Sequence, residues 1–251
     1  MGIFDIQIPV VYGEGGKAFG RLLTEVVSLS EDITLLDWVG QSSRLNTCLP
    51  AHPKCYYDTA WLSENALSAH AVSAANSPRN QNFENYPSLY RLLVDPPPAR
   101  LYFTQGKLTV NCIMHKVETL KFHYESIRRP GIYRYDISAN GLKSFSINTG
   151  RTIAQVPDDT DSGEDNIIIP TYTVVRVWHP AILYDVQESG ASSDPLLSFQ
   201  QLTKPFIALL LMRQGAGKYR RVPTKAPILA MLKNPDNIES ITSEISSIEI
   251  S

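Results

Sequence analysis

Lys107-Leu-Thr-Val-Asn-Cys-Ile-Met-His-Lys-Val-Glu-Thr-Leu-Lys-Phe-His123 is the stretch on which the fold turns. Leu108, Val110 and Cys112 alternate with polar Thr109 and Asn111, and a second alternation runs from Val117 to Phe122. Successive side chains on a strand point to opposite faces, so a period of two predicts extended chain here. A shorter candidate strand, 100–103, precedes it, with Gly106 as the turn between them. Downstream, 132–137, 142–147, 167–178, 206–213 and 218–222 read as further strands, and Gly131, Gly141 and Gly150 break the chain between some of them. Short turns suit hairpins rather than helical crossovers. Residues 98–251 are therefore expected to form a mainly antiparallel β domain that folds independently, with an acidic loop at 157–165.

Moving toward the N-terminus, the pattern loosens and then becomes helical. Residues 41–97 are rich in small and turn-forming side chains and read as a loop-rich connector, with one helix near 61–71. A second short helix over 88–94 is ended by Pro96-Pro97-Pro98. Before that, Ala18, Phe19, Leu22, Leu23, Val26 and Val27 recur at helical spacing, with Lys17, Arg21 and Glu25 on the other side. Ser30-Glu31-Asp32 stops this helix, and 33–38 reads as a short apolar strand that folds back onto it. The turn Gly13-Glu14-Gly15-Gly16 introduces the helix, and Ile6, Ile8 and Val10 form an edge-like alternation interrupted by Pro9. The fold class is thus α+β: a short helical segment over 1–40, the connector over 41–97 and the β-rich domain over 98–251.

Composition narrows the function. The 251 residues include 23 basic and 25 acidic side chains, a formal charge of −2. That balance carries no electrostatic footprint for nucleic acid or an anionic membrane surface. The longest apolar run, 206–212, is far below the roughly 20 residues a spanning helix needs. No signal-peptide pattern opens the chain. Three cysteines make an odd, sparse set unlike a secreted disulfide framework, so a cytoplasmic protein is expected.

The stretch from Gly2 to Trp38 resembles the segment that closes the heterokaryon-incompatibility (HET) domain of fungal proteins. That family carries G-[IV]-F-D-[VI]-x-[ILM]-P-x-x-Y-G-E-G-x-x-A-F-x-R-L followed by S-x-D-x-[ST]-[IL]-[FL]-A-W. Its counterparts here are Gly2, Phe4, Asp5, Pro9, Tyr12, Gly13, Glu14, Gly15, Ala18, Phe19, Arg21, Leu22, Asp32 and Trp38. Shorter matches continue in order. Trp38-x-Gly-x-Ser with Asn46-x-Cys-Leu-Pro50 is similar to the junction after that block in long basidiomycete-type members. Val110-Asn-Cys-Ile-Met-His115, Tyr135-Asp-Ile-Ser-x-x-Gly-Leu142, Val175-Arg-Val-Trp178, Pro205-Phe-Ile-Ala-Leu-Leu-Leu211, Tyr219-Arg-Arg-Val222 and Ile248-Glu-Ile250 resemble later strands of the same proteins. Ile207 stands where the family pattern has glycine. The resemblance implies a non-enzymatic role in self/non-self recognition linked to programmed cell death, with protein partners reached through the HET region. In the family the larger part of the HET domain comes before this block, so the resemblance implies a truncated fragment that alone does not trigger death.

Few residues offer chemistry. Gly13-Glu14-Gly15-Gly16-Lys17 lacks the spacing and the hydroxyl of a phosphate-binding loop, so it reads as a turn capping a helix. Cys48, His52 and Cys55, with Cys112 and His115, offer thiols and imidazoles for a tetrahedral zinc site, but at non-standard spacing. The bland reading places Cys112 in the sheet and leaves Cys48 and Cys55 as free loop thiols. His70 and His123 have no local ligand partners, and His179, before Pro180, marks a strand end. Through the resemblance, Glu14 with Asp5 invites comparison with TIR-fold proteins that cleave NAD through a glutamate. A turn residue pairing with Lys17 or Arg21 is the simpler role for Glu14. No catalytic residue, cofactor or metal is assigned. A stand-alone β-rich ligand- or protein-binding module is the alternative function, and a TIR-like NAD hydrolase the second.

Overall fold

The computed structural model describes residues 16–30, 32–56, 91–92, 94–123, 131–153, 171–183, 201–234 and 245–251. Helix α1, Gly16–Ser30, buries Leu23, Val26 and Val27, a stripe at i, i+3 and i+4. Phe19 is half-buried, but Leu22, expected on the same buried face, is 36% exposed. The stripe is centred on Leu23 and Val27, which turns Leu22 to its flank.

The segment after α1 departs from the expected strand. Ile33–Leu36 is a 3-10 turn. Asp32 caps it: one carboxylate oxygen accepts from the Thr34 backbone N–H at 2.9 Å and from the Thr34 hydroxyl at 2.7 Å. An aspartate that satisfies a free N–H two residues on competes directly with extended chain. The apolar run 33–38 is too short for periodicity to tell strand from turn, and the capping residue decides it. A second 3-10 turn, Pro53–Tyr56, lies in the region read as a connector.

Among the described residues nine strands follow: β1 Leu101–Thr104, β2 Lys107–Phe122, β3 Tyr133–Ala139, β4 Phe145–Thr149, β5 Tyr172–Val177, β6 Phe206–Gly215, β7 Lys218–Arg221, β8 Ile228–Ala230 and β9 Ile245–Ile250. The β1–β2 hairpin turns through Gln105 (φ 51°) and Gly106 (φ 76°), with Thr104 opposite Lys107. Positive φ at both central residues is the two-residue turn whose twist matches antiparallel strands, and only the second site has glycine. Strand β4 begins at Phe145, later than the expected 142, since Leu142 instead makes a bridge to Leu232. The sheet is mainly antiparallel, as expected from the turns. Strands β8 and β9 were not separated by the sequence pattern. The helix expected at 61–71, the start of that at 88–94, the acidic loop and the turn at Gly13–Gly16 lie wholly or partly outside the described residues.

The pairing closes on itself. Strand β2 pairs with β5, β5 with β6, β6 with β7, β7 with β9, and β9 back with β2. Every step is antiparallel except β7–β9, which is parallel. Each of these strands sends side chains into one hydrophobic cluster: Leu108, Val110 and Cys112 from β2, Val175 from β5, Leu209 and Leu211 from β6, Tyr219 from β7, Ile248 and Ile250 from β9. The same cluster takes Val27 of α1, Leu36 and Cys48. The opposite faces of β2, β5 and β6 carry a second core, where Val117, Val174, Phe206 and Leu210 meet Tyr135 and Ile137 of β3, Ile147 of β4 and Ile228 of β8. Burial on both faces explains why 206–212 reads as a continuous apolar run rather than an alternation.

Candidate functional site

Residues 36–50, the end of the segment 1–40 and the start of the stretch read as connector, seal the ring at the end where β7 and β9 finish. The Asn46 amide donates to the carbonyls of Gly106 and Ile250, both at 2.8 Å, while its oxygen accepts the Cys48 N–H at 2.7 Å. The Thr47 hydroxyl donates to the Ser251 carbonyl and accepts the Arg221 N–H at 3.0 Å. The Trp38 indole N–H donates to the Cys48 carbonyl at 2.7 Å, and its ring is 2% exposed.

Arg221 reaches into this seal from β7. Its parity with Tyr219 points it to the same side, and it is 6% exposed. The guanidinium donates to the carbonyls of Leu36 (2.7 Å) and Trp38 (2.8 Å) and lies 3.9 Å over the Trp38 ring. The end of a helical turn leaves carbonyls short of donors, and a planar cation with several N–H groups reaches two of them at once, the Leu36 carbonyl also accepting the Trp38 N–H at 3.0 Å. Burial holds the Arg221 pKa below the usual arginine range, opposed by Cys48, Asp37 and Tyr56 nearby. Burial also pushes the Asp37 carboxyl up to about 6 against the pull of Arg221, and the Cys48 thiol up to about 11. The Tyr56 hydroxyl, raised by burial, donates to the Leu35 carbonyl at 2.8 Å. These groups interlock the seal with the ring.

Beside the seal a cleft of about 630 Å³ opens between 39–42, 52–55, 150–151 and 223–225. Its walls are pinned by backbone hydrogen bonds: Val39 N–H to Cys55 O (2.9 Å), Gly40 N–H to Thr224 O (2.7 Å) and Lys225 N–H to Asn148 O (2.7 Å). Lys54, Arg151 and Lys225 line it together with His52 and Cys55. The Cys55 sulfur lies 3.5 Å from the Gln41 carbonyl and 3.6 Å from His52 Nδ1.

The structure disperses the candidate zinc ligands. Cys55 and His52 do meet, but Cys112 packs inside the ring with its thiol 3.7 Å from the Ser246 carbonyl, burial pushing that thiol up to about 12. His115, three residues on, points to the other face of β2, where Nδ1 contacts the Asn140 carbonyl at 2.9 Å and the ring lies 6.1 Å from Phe206. Among the described residues no group of three or more His, Cys, Asp or Glu side chains could hold a metal ion. All three cysteines are free and all are buried, Cys48 and Cys55 included. His123 pairs with Asp136 across β2 and β3, and His179 lies just past the end of β5, before the 3-10 turn Pro180–Leu183. Asp5 and Glu14 lie outside the described residues. Sequence reasoning missed Arg221, Lys54, Arg151 and Lys225. The only signal for Arg221 was its period-two relation to Tyr219, and a charged residue type argues against burial.

No protein-family model, curated protein or solved structure matches this chain. No helix among the described residues is long and apolar enough to cross a membrane.

Proposed function

We propose that this chain is a non-enzymatic, cytoplasmic recognition protein of the fungal heterokaryon-incompatibility type, acting in self/non-self recognition linked to programmed cell death through contacts with other proteins. The ordered motif from Gly2 to Trp38 carries the reading. Support comes from the way its last part is used. The Ser30 hydroxyl donates to the Val26 carbonyl, the Asp32 carboxylate caps Thr34, and Trp38 lies under Arg221 with its indole bonded to Cys48. The serine, aspartate, hydroxyl and tryptophan positions of S-x-D-x-[ST]-[IL]-[FL]-A-W each have a physical task at the junction of helix and ring. A run of structural tasks explains why such a string recurs as a unit, and it leaves recognition to the surfaces that the junction holds in place.

Deleting the gene from its fungal host and pairing the deletant with non-self strains tests this. An incompatibility reaction lost or altered against at least one strain is expected. Unchanged reactions against every strain would overturn it. In parallel, purified protein incubated with NAD is expected to release no nicotinamide. Release abolished by Glu14→Gln would replace the recognition reading with NAD hydrolysis.

A further inference from the structure

We infer that the cleft between 39–42, 52–55, 150–151 and 223–225 binds a small phosphorylated ligand whose anionic oxygens are taken by Lys54, Arg151 and Lys225. The inference stands apart from the recognition reading and neither needs it nor tests it.

Charge is the first ground. The chain as a whole carries more acidic than basic residues, 25 against 23. This cleft nevertheless gathers Lys54, Arg151, Lys225 and His52, with no carboxylate among the described residues that line it. Elsewhere on the described surface Lys107 has Glu249 beside it at 3.4 Å. The cations come from three separate segments, the 3-10 turn Pro53–Tyr56, the end of β4 and the stretch after β7, so chain proximity does not force their meeting. Like charges brought together on a fixed scaffold cost free energy unless an anion joins them.

Shape is the second ground. Lys225 lies across Gly150, where an added Cβ would sit 3.0 Å from Cε and 3.4 Å from Nζ. The missing side chain thus lets the Lys225 stem and ammonium lie over Gly150, the residue before Arg151. Because Lys225 N–H is bonded to Asn148 and Gly40 N–H to Thr224, the base of the cleft is fixed before any ligand arrives. A volume near 630 Å³ is that of a small-molecule site. An arginine fork with two ammonium groups matches the several oxygens of a phosphate ester better than one carboxylate. Among the described residues the apolar lining is limited to groups such as Val39 and Pro223, without Phe, Tyr or Trp, so the phosphate rather than a stacked base dominates recognition.

Calorimetric titration of the full chain with inorganic pyrophosphate tests the proposal. One pyrophosphate per chain is expected, and Lys54→Ala, Arg151→Ala and Lys225→Ala should each weaken it by about tenfold, the loss of one charged hydrogen bond. All three side chains are exposed, so circular dichroism of the variants should match the parent. Gly150→Ala, which alters no charge, should weaken binding by crowding Lys225. Lys218→Ala and Lys233→Ala, exposed lysines outside the cleft, should leave it unchanged. No pyrophosphate binding, or equal loss from Lys218→Ala and Lys225→Ala, would overturn the site. Tighter binding of hexaglutamate than of pyrophosphate through the same three cations would also overturn it, and would make the cleft a peptide-docking surface.

Discussion

Two arginines show how single residues organise this molecule. Arg221 closes the carbonyl end of the turn Ile33–Leu36 and lies on Trp38. Arg176 of β5 does the same for the helical turn at 201–203: its guanidinium donates to the carbonyls of Leu202 (2.6 Å) and Gln201 (3.3 Å) and lies 4.8 Å from the Phe206 ring centre. Burial lowers the Arg176 pKa to about 10, so it keeps its proton at neutral pH. In both cases a cation meets the negative end of a helical turn inside the core. Arg221→Ala would take the guanidinium from the Trp38 carbonyl, leave the Leu36 carbonyl with the Trp38 N–H alone, and open a void beside the Trp38 ring. A loss of about 3–5 kcal/mol is expected from urea unfolding, the range for breaking a buried charged contact. Arg221→Lys should recover only part of it, because one ammonium cannot reproduce the fork. Asp37 gives the pH counterpart. Its folded pKa, about 6, lies above the ordinary carboxyl value of 3.8. The folded state therefore holds this proton more tightly than the unfolded chain, and the associated stability is present below pH 3.8 and lost as pH rises through 6. Asp37→Asn should match the parent near pH 4 and exceed it near pH 7, by about 2 kcal/mol after allowing for partial exposure. Equal pH profiles for the two proteins would refute this assignment.

At the level of elements, local patterning was readable and local competition was not. Strand β2 announced itself through Leu108, Val110 and Cys112, and the hairpin before it through Gly106, because period and turn chemistry are both written within a few residues. Ile33–Leu36 has the same apolar character, yet the Asp32 side chain converts it to a 3-10 turn. Asp32→Ala should cost about 1 kcal/mol, the usual value of a lost cap, measurable as a lower urea midpoint at unchanged slope. The β1–β2 turn offers the opposite change. Gln105 holds φ 51°, a region where asparagine is tolerated better than longer side chains. Gln105→Asn should stabilise by about 0.5 kcal/mol, and a lower melting temperature would count against the two-residue turn. The cleft was illegible for a different reason. Lys54, Arg151 and Lys225 are surface lysines and an arginine like any other in sequence, and only the pairing of Gly40 with Thr224 and of Lys225 with Asn148 brings their segments together.

On the scale of the whole molecule, what the sequence concealed was closure. Strands β2, β5, β6 and β7 can each be recognised alone, but the parallel contact of Lys218 and Tyr219 with Glu249 and Ile250 joins segments whose meeting no local pattern encodes. The division at residues 40 and 97 conceals the same thing from the other side. Val27, Leu36 and Cys48 share one hydrophobic cluster with β2, β5, β6, β7 and β9, and Asn46 bonds to both Gly106 and Ile250. A protein of residues 98–251 would retain every strand of the ring yet lose these three apolar side chains, the Trp38 ring under Arg221 and both carbonyls that satisfy its guanidinium. Uncovering the apolar interior of the ring at this end is costly enough to outweigh the marginal stability of a domain this size. Residues 98–251 should therefore unfold without a sharp urea transition and bind a hydrophobic dye, while the full chain unfolds cooperatively. A short protein as cooperative as the full chain would mean that residues 16–56 are an accessory to the ring rather than part of its core.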